Sequence, residues 1–287
     1  MSRLQIVDLF AGCGGLSQGF RNKDCDIIGS VEWEKACVET IKANSHAEHI
    51  LHHVDIRNYD SFLTSKGGLL DVNQVNPVSG VIGGPPCQAY SLAGRIRCPD
   101  GMKDDYRNFL FEAYIEVLSK LQPDFFVFEN VLGMLSARPG GSSVVERLSQ
   151  SFEQAGYAIP DINKKIVFNL AELGGPQFRR RVILFGVNRS KFPFNANKLV
   201  QRFYAVLNSK KSIPATTSSA IGDLPVLLPL STQSGRKSHQ SDHQDSLHQS
   251  RFHNARDIEI FRALALDAKS PDPQYRSIEA LKKLYTQ

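Results

Sequence analysis

Short apolar runs alternate with amphipathic segments over roughly the first two thirds of the chain. The runs that predict buried strands are Leu4–Phe10, Asp26–Val31, Val78–Ile82 and Asp124–Phe128. The segments with helical periodicity are Glu34–Asn44, Asn108–Lys120 and Ser143–Gly156. Repeated strand–helix units of this kind predict a parallel sheet that is covered by helices on both faces.

Two later strand-like segments, Ile159–Asn169 and Arg181–Val187, have no helix between them. This arrangement predicts an antiparallel hairpin at one edge of the sheet, because only antiparallel strands are joined without a crossover. The expected fold class is therefore α/β: a doubly wound sheet, mostly parallel, with an antiparallel edge hairpin. We place this domain at residues 1–190.

Residues 191–287 carry a weaker pattern. The stretch 207–250 is rich in Ser, Gln, His and Lys, which predicts a loop-rich connector. Helical segments follow at Ala255–Asp267 and Ser277–Leu284. With so few strand-like runs, this part is expected to form a loop-rich and helical extension rather than a second domain.

Composition narrows the class of protein. The chain has 287 residues, 41% of them hydrophobic and 22% charged, as in an ordinary globular protein. No apolar run approaches the roughly 20 residues of a membrane span, and the N-terminus lacks a signal-peptide layout, which predicts a cytoplasmic protein. The five cysteines show no metal-ligand spacing, so no metal site is predicted. A net charge of +5 is compatible with a polyanionic partner without demonstrating one.

A glycine-rich turn follows the first predicted strand. Gly12, Gly14 and Gly15 allow the backbone to turn sharply and to approach a ligand at the carboxyl edge of the sheet. Ser17 stands where the dinucleotide-binding fingerprint requires its third glycine, and no phosphate-loop lysine follows. The turn therefore predicts a nucleotide-type ligand without a pyrophosphate.

Acidic and aromatic residues end the next two strands. Glu32 lies about twenty residues after the glycines, where a carboxylate accepts both hydroxyls of a ribose. Trp33 can stack on an adenine, Asp55 can accept from its amino group, and Ile56 can pack on its ring. The alternative is that Glu32 caps a helix and Trp33 belongs to the core. These acidic and aromatic residues at successive strand ends favour binding of an adenosine group. Because the turn lacks pyrophosphate-binding features, S-adenosylmethionine fits better than a nicotinamide cofactor.

A lone thiol, an acid and an arginine group follow the later strands. Cys87 stands on a loop stiffened by Pro85 and Pro86, where it is either a nucleophile or a structural cysteine. Glu129 comes directly after the apolar run that ends at Phe128. The segment that opens the last strand contains Arg179 and Arg181, whose guanidinium groups can bind a carbonyl, carboxylate or phosphate group.

Six ordered motifs together resemble those of the DNA (cytosine-5) methyltransferase family. They are the first cofactor motif at Asp8–Phe20, two further cofactor motifs at Glu32-Trp33 and Asp55-Ile56, the nucleophile loop at Gly84–Gln88, the catalytic acid motif at Glu129–Val131 and the arginine motif at Gln177–Arg181. The resemblance covers about the first two thirds of the chain. It implies a Rossmann-like methyltransferase sheet and S-adenosylmethionine as the cofactor.

The resemblance also implies catalytic roles. Cys87 is expected to add to carbon 6 of a cytosine, which makes carbon 5 nucleophilic. Glu129 is expected to hold ring N3 and the exocyclic amino group. Arg181 is expected to hold the O2 carbonyl, with Arg179 positioning it or Cys87. Because the attacked face is closed inside a duplex, the expected substrate is double-stranded DNA with the base flipped out.

Further contacts follow from the same resemblance. The cofactor pocket is expected to be lined by Phe10, Gly12, Gly14, Glu32, Trp33, Asp55, Ile56, Pro85 and Leu110. The stretch after Cys87, up to Arg107, is expected to form a loop that closes over the flipped base. Within it, Gln88, Ser91 and Arg97 are the candidate DNA contacts.

The sequence departs from the family at its C-terminal side. The family continues with a target-recognition domain and a Gly-Asn-Ser-Val-like motif, whereas this sequence contains no Gly-Asn pair. We expect a second polypeptide to supply target recognition and the missing motifs, as part of a restriction-modification enzyme. An inactive or regulatory DNA-binding remnant and an RNA cytosine-5 methyltransferase remain as alternatives.

Overall fold

An eight-stranded sheet organises residues 1–215, the first of two compact units in the computed structural model of the chain. The structure describes residues 2–21, 24–44, 49–75, 77–86, 110–138, 141–162, 164–234, 237–240, 252–277, 279–280 and 283–284. The strands of this sheet are β1 Leu4–Leu9, β2 Cys25–Glu32, β3 Ile50–His53, β4 Gly80–Gly83, β5 Phe125–Val131, β6 Tyr157–Ala158, β7 Val167–Asn169 and β8 Arg180–Asn188. Their order is β3-β2-β1-β4-β5-β8-β6, and β7 also pairs with β8.

Helices lie between the strands of this unit. They are α1 Gly15–Phe20, α2 Lys35–Asn44, α3 Leu69–Val75, α4 Leu110–Leu121, α5 Val144–Gln154 and α6 Ala196–Ser209, with a π-helical turn at Asp60–Thr64 and 3-10 turns at Leu132–Ser136, Lys164–Ile166 and Leu170–Glu172. Among the described residues, no helix is long and apolar enough to cross a membrane.

Strands β1 to β5 are parallel, and β1 is buried on both faces. Val7 and Leu9 belong to the larger apolar cluster, which also receives the buried face of α4. Ile6 belongs to a smaller cluster on the other face, against which Leu16 and Phe20 of α1 pack. Burial on both faces explains why these strands are continuous apolar runs in the sequence. The predicted fold class is confirmed.

The direction of β8 differs from that of its neighbour β5. The two strands are antiparallel, and Val131 at the end of β5 faces Arg181 near the start of β8. Phe128 faces Gly83 at the end of β4, and Gly83 faces Leu9 at the end of β1. The start of β8 therefore meets the carboxyl ends of the parallel strands at one edge of the sheet.

Two predicted elements differ from the structure near β6. The helix predicted at Ser143–Gly156 ends at Gln154, because Gly156 turns the chain with a φ of 91° and the buried Tyr157 begins β6. The strand predicted at Ile159–Asn169 was wrong except at Val167–Asn169, which pairs with β8. Pro160 has no N–H to donate to a strand ladder, which is consistent with the break.

The C-terminal part is more structured than the sequence indicated. The compact unit Thr216–Gln287 contains α7 Thr217–Ile221, the antiparallel strands β9 Leu228–Ser234 and β10 Lys237–Gln240, and α8 Ala255–Asp267. The prediction of a loop-rich connector at 207–250 was therefore wrong at α7, β9 and β10. The predicted helix at α8 is confirmed, and it begins with the Asn254 side chain accepting a hydrogen bond from Asp257 N at 2.8 Å.

Candidate active site

The glycine-rich turn after β1 adopts backbone conformations that few residue types tolerate. Gly12 and Gly14 have φ values of 55° and 83°, and Gly14 directly precedes α1. Phe10 has a φ of 58°, which is costly for a bulky side chain and persists only where surrounding contacts hold it. The turn is therefore a strained feature at the place where the sequence predicted cofactor binding.

The Glu32 carboxylate is tied to this turn. Its Oε2 accepts a hydrogen bond from Gly12 N at 2.7 Å. Its Oε1 accepts from Trp33 N at 2.9 Å and from Glu34 N at 2.8 Å. Three of the roughly four acceptor positions of a carboxylate are thus used, which leaves Oε2 able to accept about one further hydrogen bond. The Glu32 carboxylate thus accepts hydrogen bonds from the two backbone N–H groups that follow β2 and can still accept one from a ligand hydroxyl.

The aromatic and acidic residues beside Glu32 differ in exposure. Trp33 is 64% exposed, so the alternative that it belongs to the core is wrong. Val54 N donates to Glu32 O at 3.0 Å, which brings the chain after β3 next to Glu32. Asp55 accepts from Arg57 Nε at 3.0 Å, and this guanidinium lowers the pKa of Asp55. Ile56 is buried in the larger apolar cluster. Their adenine contacts stay predictions.

A buried acid that the sequence analysis missed lies beneath the turn. Asp8 is 1% exposed and accepts a hydrogen bond from Ser17 Oγ at 2.6 Å. Asp8 Oδ1 and Ser30 Oγ have no hydrogen-bond partner among the described residues, and the two residues face each other across β1 and β2. Burial raises the pKa of Asp8 to about 7. The position of Asp8 inside the apolar run Leu4–Phe10 was the sequence signal that could have identified it.

The described part of the predicted nucleophile loop is anchored to β5. Pro85 is buried, and its carbonyl accepts a hydrogen bond from Asn130 Nδ2 at 3.3 Å. Asn130 is itself buried and was assigned no role from the sequence, although it lies within the acid motif. Cys87, Gln88, Ser91 and Arg97 lie outside the described residues. Leu110 begins α4 and is buried in the larger cluster.

Glu129 and Arg181 form an ion pair at the carboxyl edge. Arg181 Nε lies 2.7 Å from Glu129 Oε1, and the two side chains are 14% and 36% exposed respectively. A Cβ added at Gly84 would lie 3.0 Å from Glu129 Oε2, so a larger residue there would press on the carboxylate unless its side chain shifts. The pair combines a partly shielded carboxylate with a fixed guanidinium group, which suits recognition of a planar polar ligand edge.

Arg179 is placed differently from Arg181. It is exposed just before β8, and its backbone N donates to Asn169 Oδ1 at 3.1 Å. Its carbonyl accepts from Leu170 N at 3.0 Å, which fixes the backbone but leaves the side chain in solvent. The structure therefore brings Arg181, and not Arg179, to Glu129. No group of three or more His, Cys, Asp or Glu side chains suited to a metal occurs among the described residues.

A separate cavity of about 770 Å³ lies between α6 and the segment from Ile159 to Val167. Its lining includes Lys165, Tyr204 and Lys211. None of the predicted site residues lines it, although it is a sizeable concave region. The size of a cavity is therefore a weaker indication of the functional site than the presence of Glu32, Glu129 and Arg181 at one edge of the sheet.

Comparisons with known proteins point to one family. The model of a family described as C-5 cytosine-specific DNA methylase matches residues 4–285. Type II methyltransferase M.Bpa9945I of Bacillus paralicheniformis is 32% identical over 284 residues, covering 78% of this chain and 61% of that protein. Type II methyltransferase M.AquIA of Picosynechococcus sp. is 31% identical over 247 residues, covering 82% of this chain and 94% of that protein.

A solved structure shows the same fold. The crystal structure of a candidate DNA modification methyltransferase from an E. coli prophage superposes with a TM-score of 0.56 at 25% identity, covering 85% of this chain and 62% of that one. The chain spans only 45% to 61% of the length of six curated Type II methyltransferases that it resembles. M.AquIA, spanned almost completely, differs from these in length.

The buried Asp8 makes folding stability depend on pH. Its pKa of about 7 in the folded chain exceeds the ordinary value of 3.8, so the folded state binds this proton more tightly. The unfolding free energy should therefore fall as the pH rises between these values, by on the order of 4 kcal/mol. Asp8→Asn keeps an acceptor for Ser17 and has no proton to lose. We predict that urea unfolding of this variant is much less pH-dependent.

The exposed Asp161 provides the matched control, since Asp161→Asn changes the same chemical group at the surface. This control should show the wild-type pH dependence. Equal slopes for wild type and Asp8→Asn between about pH 5 and about pH 8 would contradict the assignment of a proton to Asp8.

Proposed function

The chain belongs to the C-5 cytosine-specific DNA methylase family, and on that premise we propose that it transfers a methyl group from S-adenosylmethionine to carbon 5 of a flipped cytosine in DNA. The observation that carries the proposal is the Glu129–Arg181 ion pair, packed against Gly84 in the loop that leads to Cys87. An acid, a guanidinium group and a thiol-bearing loop at one sheet edge match what this reaction requires.

The described residues fit the cofactor. Gly12 N and the Glu32 carboxylate form a backbone-lined corner, and Glu32 Oε2 retains capacity to accept from a ribose hydroxyl. The exposed Trp33 offers an aromatic face to an adenine. S-adenosylmethionine supplies the methyl group as an electrophile bound to a sulfonium sulfur. We propose that these residues orient it, together with Phe10 and Gly14 of the same turn.

Cys87 begins the chemistry in this proposal. Its thiolate adds to carbon 6 of the cytosine, and the electrons of the carbon 5–carbon 6 double bond make carbon 5 nucleophilic. Carbon 5 then takes the methyl group. A base removes the carbon 5 proton, and the double bond re-forms as the Cys87 sulfur leaves. The thiol is thus regenerated after each turnover.

Glu129 and Arg181 recognise the polar edge of the base. Glu129 holds N3 and the exocyclic amino group, and Arg181 donates to the O2 carbonyl. Their contact at 2.7 Å fixes both groups before the substrate arrives, which lowers the cost of organising the site. Arg179 supports the start of β8, where its backbone is already hydrogen-bonded. Gln88, Ser91 and Arg97 are proposed to contact the DNA.

Target recognition is proposed to come from a second polypeptide, because the sequence contains no Gly-Asn pair of the kind found in the family's last motif. The match to M.AquIA supports this, since a Type II methyltransferase chain of about this length exists. The partner would also complete the cofactor pocket. We propose that the complex is part of a cytoplasmic restriction-modification enzyme.

The function is tested by methyl transfer from radiolabelled S-adenosylmethionine. We predict transfer to duplex DNA, but not to tRNA, by the chain co-purified with the product of the adjacent gene. The chain alone should transfer little, and Cys87→Ser should abolish transfer in the complex. Transfer to tRNA alone would favour the RNA methyltransferase. No transfer to either substrate, with undiminished DNA binding, would favour the non-catalytic alternative.

The ion pair is tested by Glu129→Gln and Arg181→Lys. Each variant should lower the rate of methyl transfer by about 10²- to 10⁴-fold, because Glu129→Gln removes a charge that faces the reacting base and Arg181→Lys removes the planar guanidinium geometry. Binding of S-adenosylmethionine should stay within about twofold of wild type, since neither residue belongs to the proposed cofactor corner. The measurements are single-turnover kinetics and calorimetry.

Arg180→Lys is the matched control for these variants. Arg180 is the exposed neighbour of Arg181 and begins β8, so the change has the same chemistry at a position outside the site. Its rate should match that of wild type. A control as impaired as Arg181→Lys, or variants at Glu129 and Arg181 with unchanged rates, would remove the ion pair from the mechanism.

A further inference from the structure

Two thiols are in contact beside the proposed cofactor corner. Cys13 Sγ lies 3.6 Å from Cys37 Sγ, although the two residues belong to different elements. Cys13 is exposed in the turn between Gly12 and Gly14, and Cys37 is half-buried in the first turn of α2. This contact brings together two cysteines that the sequence analysis had no reason to pair.

The pair joins the two segments that also meet at Glu32. Gly12, the neighbour of Cys13, donates its N–H to Glu32 Oε2 at 2.7 Å. Glu34, three residues before Cys37, donates its N–H to Glu32 Oε1 at 2.8 Å. Any covalent link between the two sulfurs would therefore act on both sides of this carboxylate. Cys25, at the start of β2, lies at the opposite end of that strand.

Bond formation requires a limited movement. A disulfide has a sulfur–sulfur distance of about 2.05 Å, so the sulfurs must approach by roughly 1.5 Å from their present contact. The glycines on each side of Cys13 let the turn follow its sulfur, since both already adopt positive φ values. That movement carries Gly12 N with it and changes its contact with Glu32.

We propose that Cys13 and Cys37 form a modification site: a hydroperoxide oxidises them to a reversible disulfide that weakens cofactor binding. The second half of this proposal rests on the proposed use of S-adenosylmethionine, whereas disulfide formation does not. Disulfides in reducing compartments are commonly transient and redox-sensing, and an exposed thiol next to a second thiol is the arrangement found in such sensors.

The chemistry balances with hydrogen peroxide as the oxidant. The Cys13 sulfur attacks the peroxide O–O bond, which gives a sulfenic acid and releases one water. The Cys37 sulfur then attacks the sulfenic sulfur, forming the S–S bond while the oxygen leaves as a second water with the Cys37 proton. Each cysteine loses one electron, and the peroxide gains two. A dithiol reductant reverses the reaction by exchange.

The exposure of Cys13 and the partial burial of Cys37 determine which thiol is oxidised first. Burial, followed by the contact with Cys13, raises the pKa of Cys37 to about 11, so Cys37 stays protonated near neutral pH. Cys13 is exposed and meets the oxidant first. Cys37 is then placed within contact distance to capture the sulfenic acid before further oxidation.

The test uses the full chain carrying Cys25→Ser, Cys87→Ser and Cys98→Ser, so that Cys13 and Cys37 are its remaining cysteines. After treatment with hydrogen peroxide, peptide mapping by mass spectrometry should find a cross-linked Cys13–Cys37 pair that dithiothreitol removes. Calorimetry of this chain in complex with the co-purified partner should show a Kd for S-adenosylmethionine raised by about tenfold after oxidation, as for the loss of one hydrogen bond to a charged group. The same peptide mapping is repeated on the wild-type chain.

A fourth substitution, Cys37→Ser, provides the control, which should give no cross-link and no peroxide effect on the Kd. Absence of the Cys13–Cys37 cross-link in both the wild-type and substituted chains would overturn the proposal. A cross-link with an unchanged Kd would overturn its second half. A reduced complex with the co-purified partner that binds no cofactor, although the chain forms the cross-link, would instead contradict the proposed function and that second half together.

Discussion

The antiparallel pairing of β5 with β8 is the constraint on which the site depends. Parallel strands deliver their carboxyl ends to one edge of the sheet. Gly12 and Gly84, which come after β1 and β4, therefore lie at the same edge as Glu32 and Glu129, which lie near the ends of β2 and β5. An arginine at the start of a further parallel strand would lie at the opposite edge. Because β8 runs antiparallel to β5, its first residues lie at this edge, and Arg181 Nε lies 2.7 Å from Glu129 Oε1.

Polar groups at this edge are held by hydrogen bonds with the backbone. Glu32 accepts from three backbone N–H groups, and Asn130 donates to the Pro85 carbonyl in the loop before Cys87. Such contacts offset the cost of burying charged and polar groups. They also tie the proposed cofactor corner to β2 and tie Pro85, in the loop that leads to Cys87, to β5. Preorganisation of this kind suits a reaction that depends on positioning.

Much of the fold could be predicted because parallel strands leave a continuous apolar signal. The runs that became β1, β2, β4 and β5 were recognised for that reason, whereas β6 has two residues and leaves no pattern. Contacts between residues that are distant in the sequence were the second feature that could not be predicted. The Asp8–Ser17 bond, the anchoring of Pro85 by Asn130 and the Cys13–Cys37 contact each join elements whose proximity only the folded sheet determines. Glu129 and Arg181 were singled out by their positions at strand ends, the motif resemblance implied their roles, and their direct contact was not predicted.

Covalent trapping tests the central claim most directly, since that claim is that this edge places Cys87 against the carbon 6 of a cytosine. Random-sequence duplex DNA made with 5-fluorocytosine at every cytosine includes any short target sequence, and fluorine at carbon 5 blocks the final elimination. With S-adenosylmethionine, the chain and the polypeptide that completes it should give a denaturant-stable protein–DNA adduct that maps to Cys87. An adduct on another residue, or no adduct under conditions in which unmodified DNA is methylated, would contradict the account.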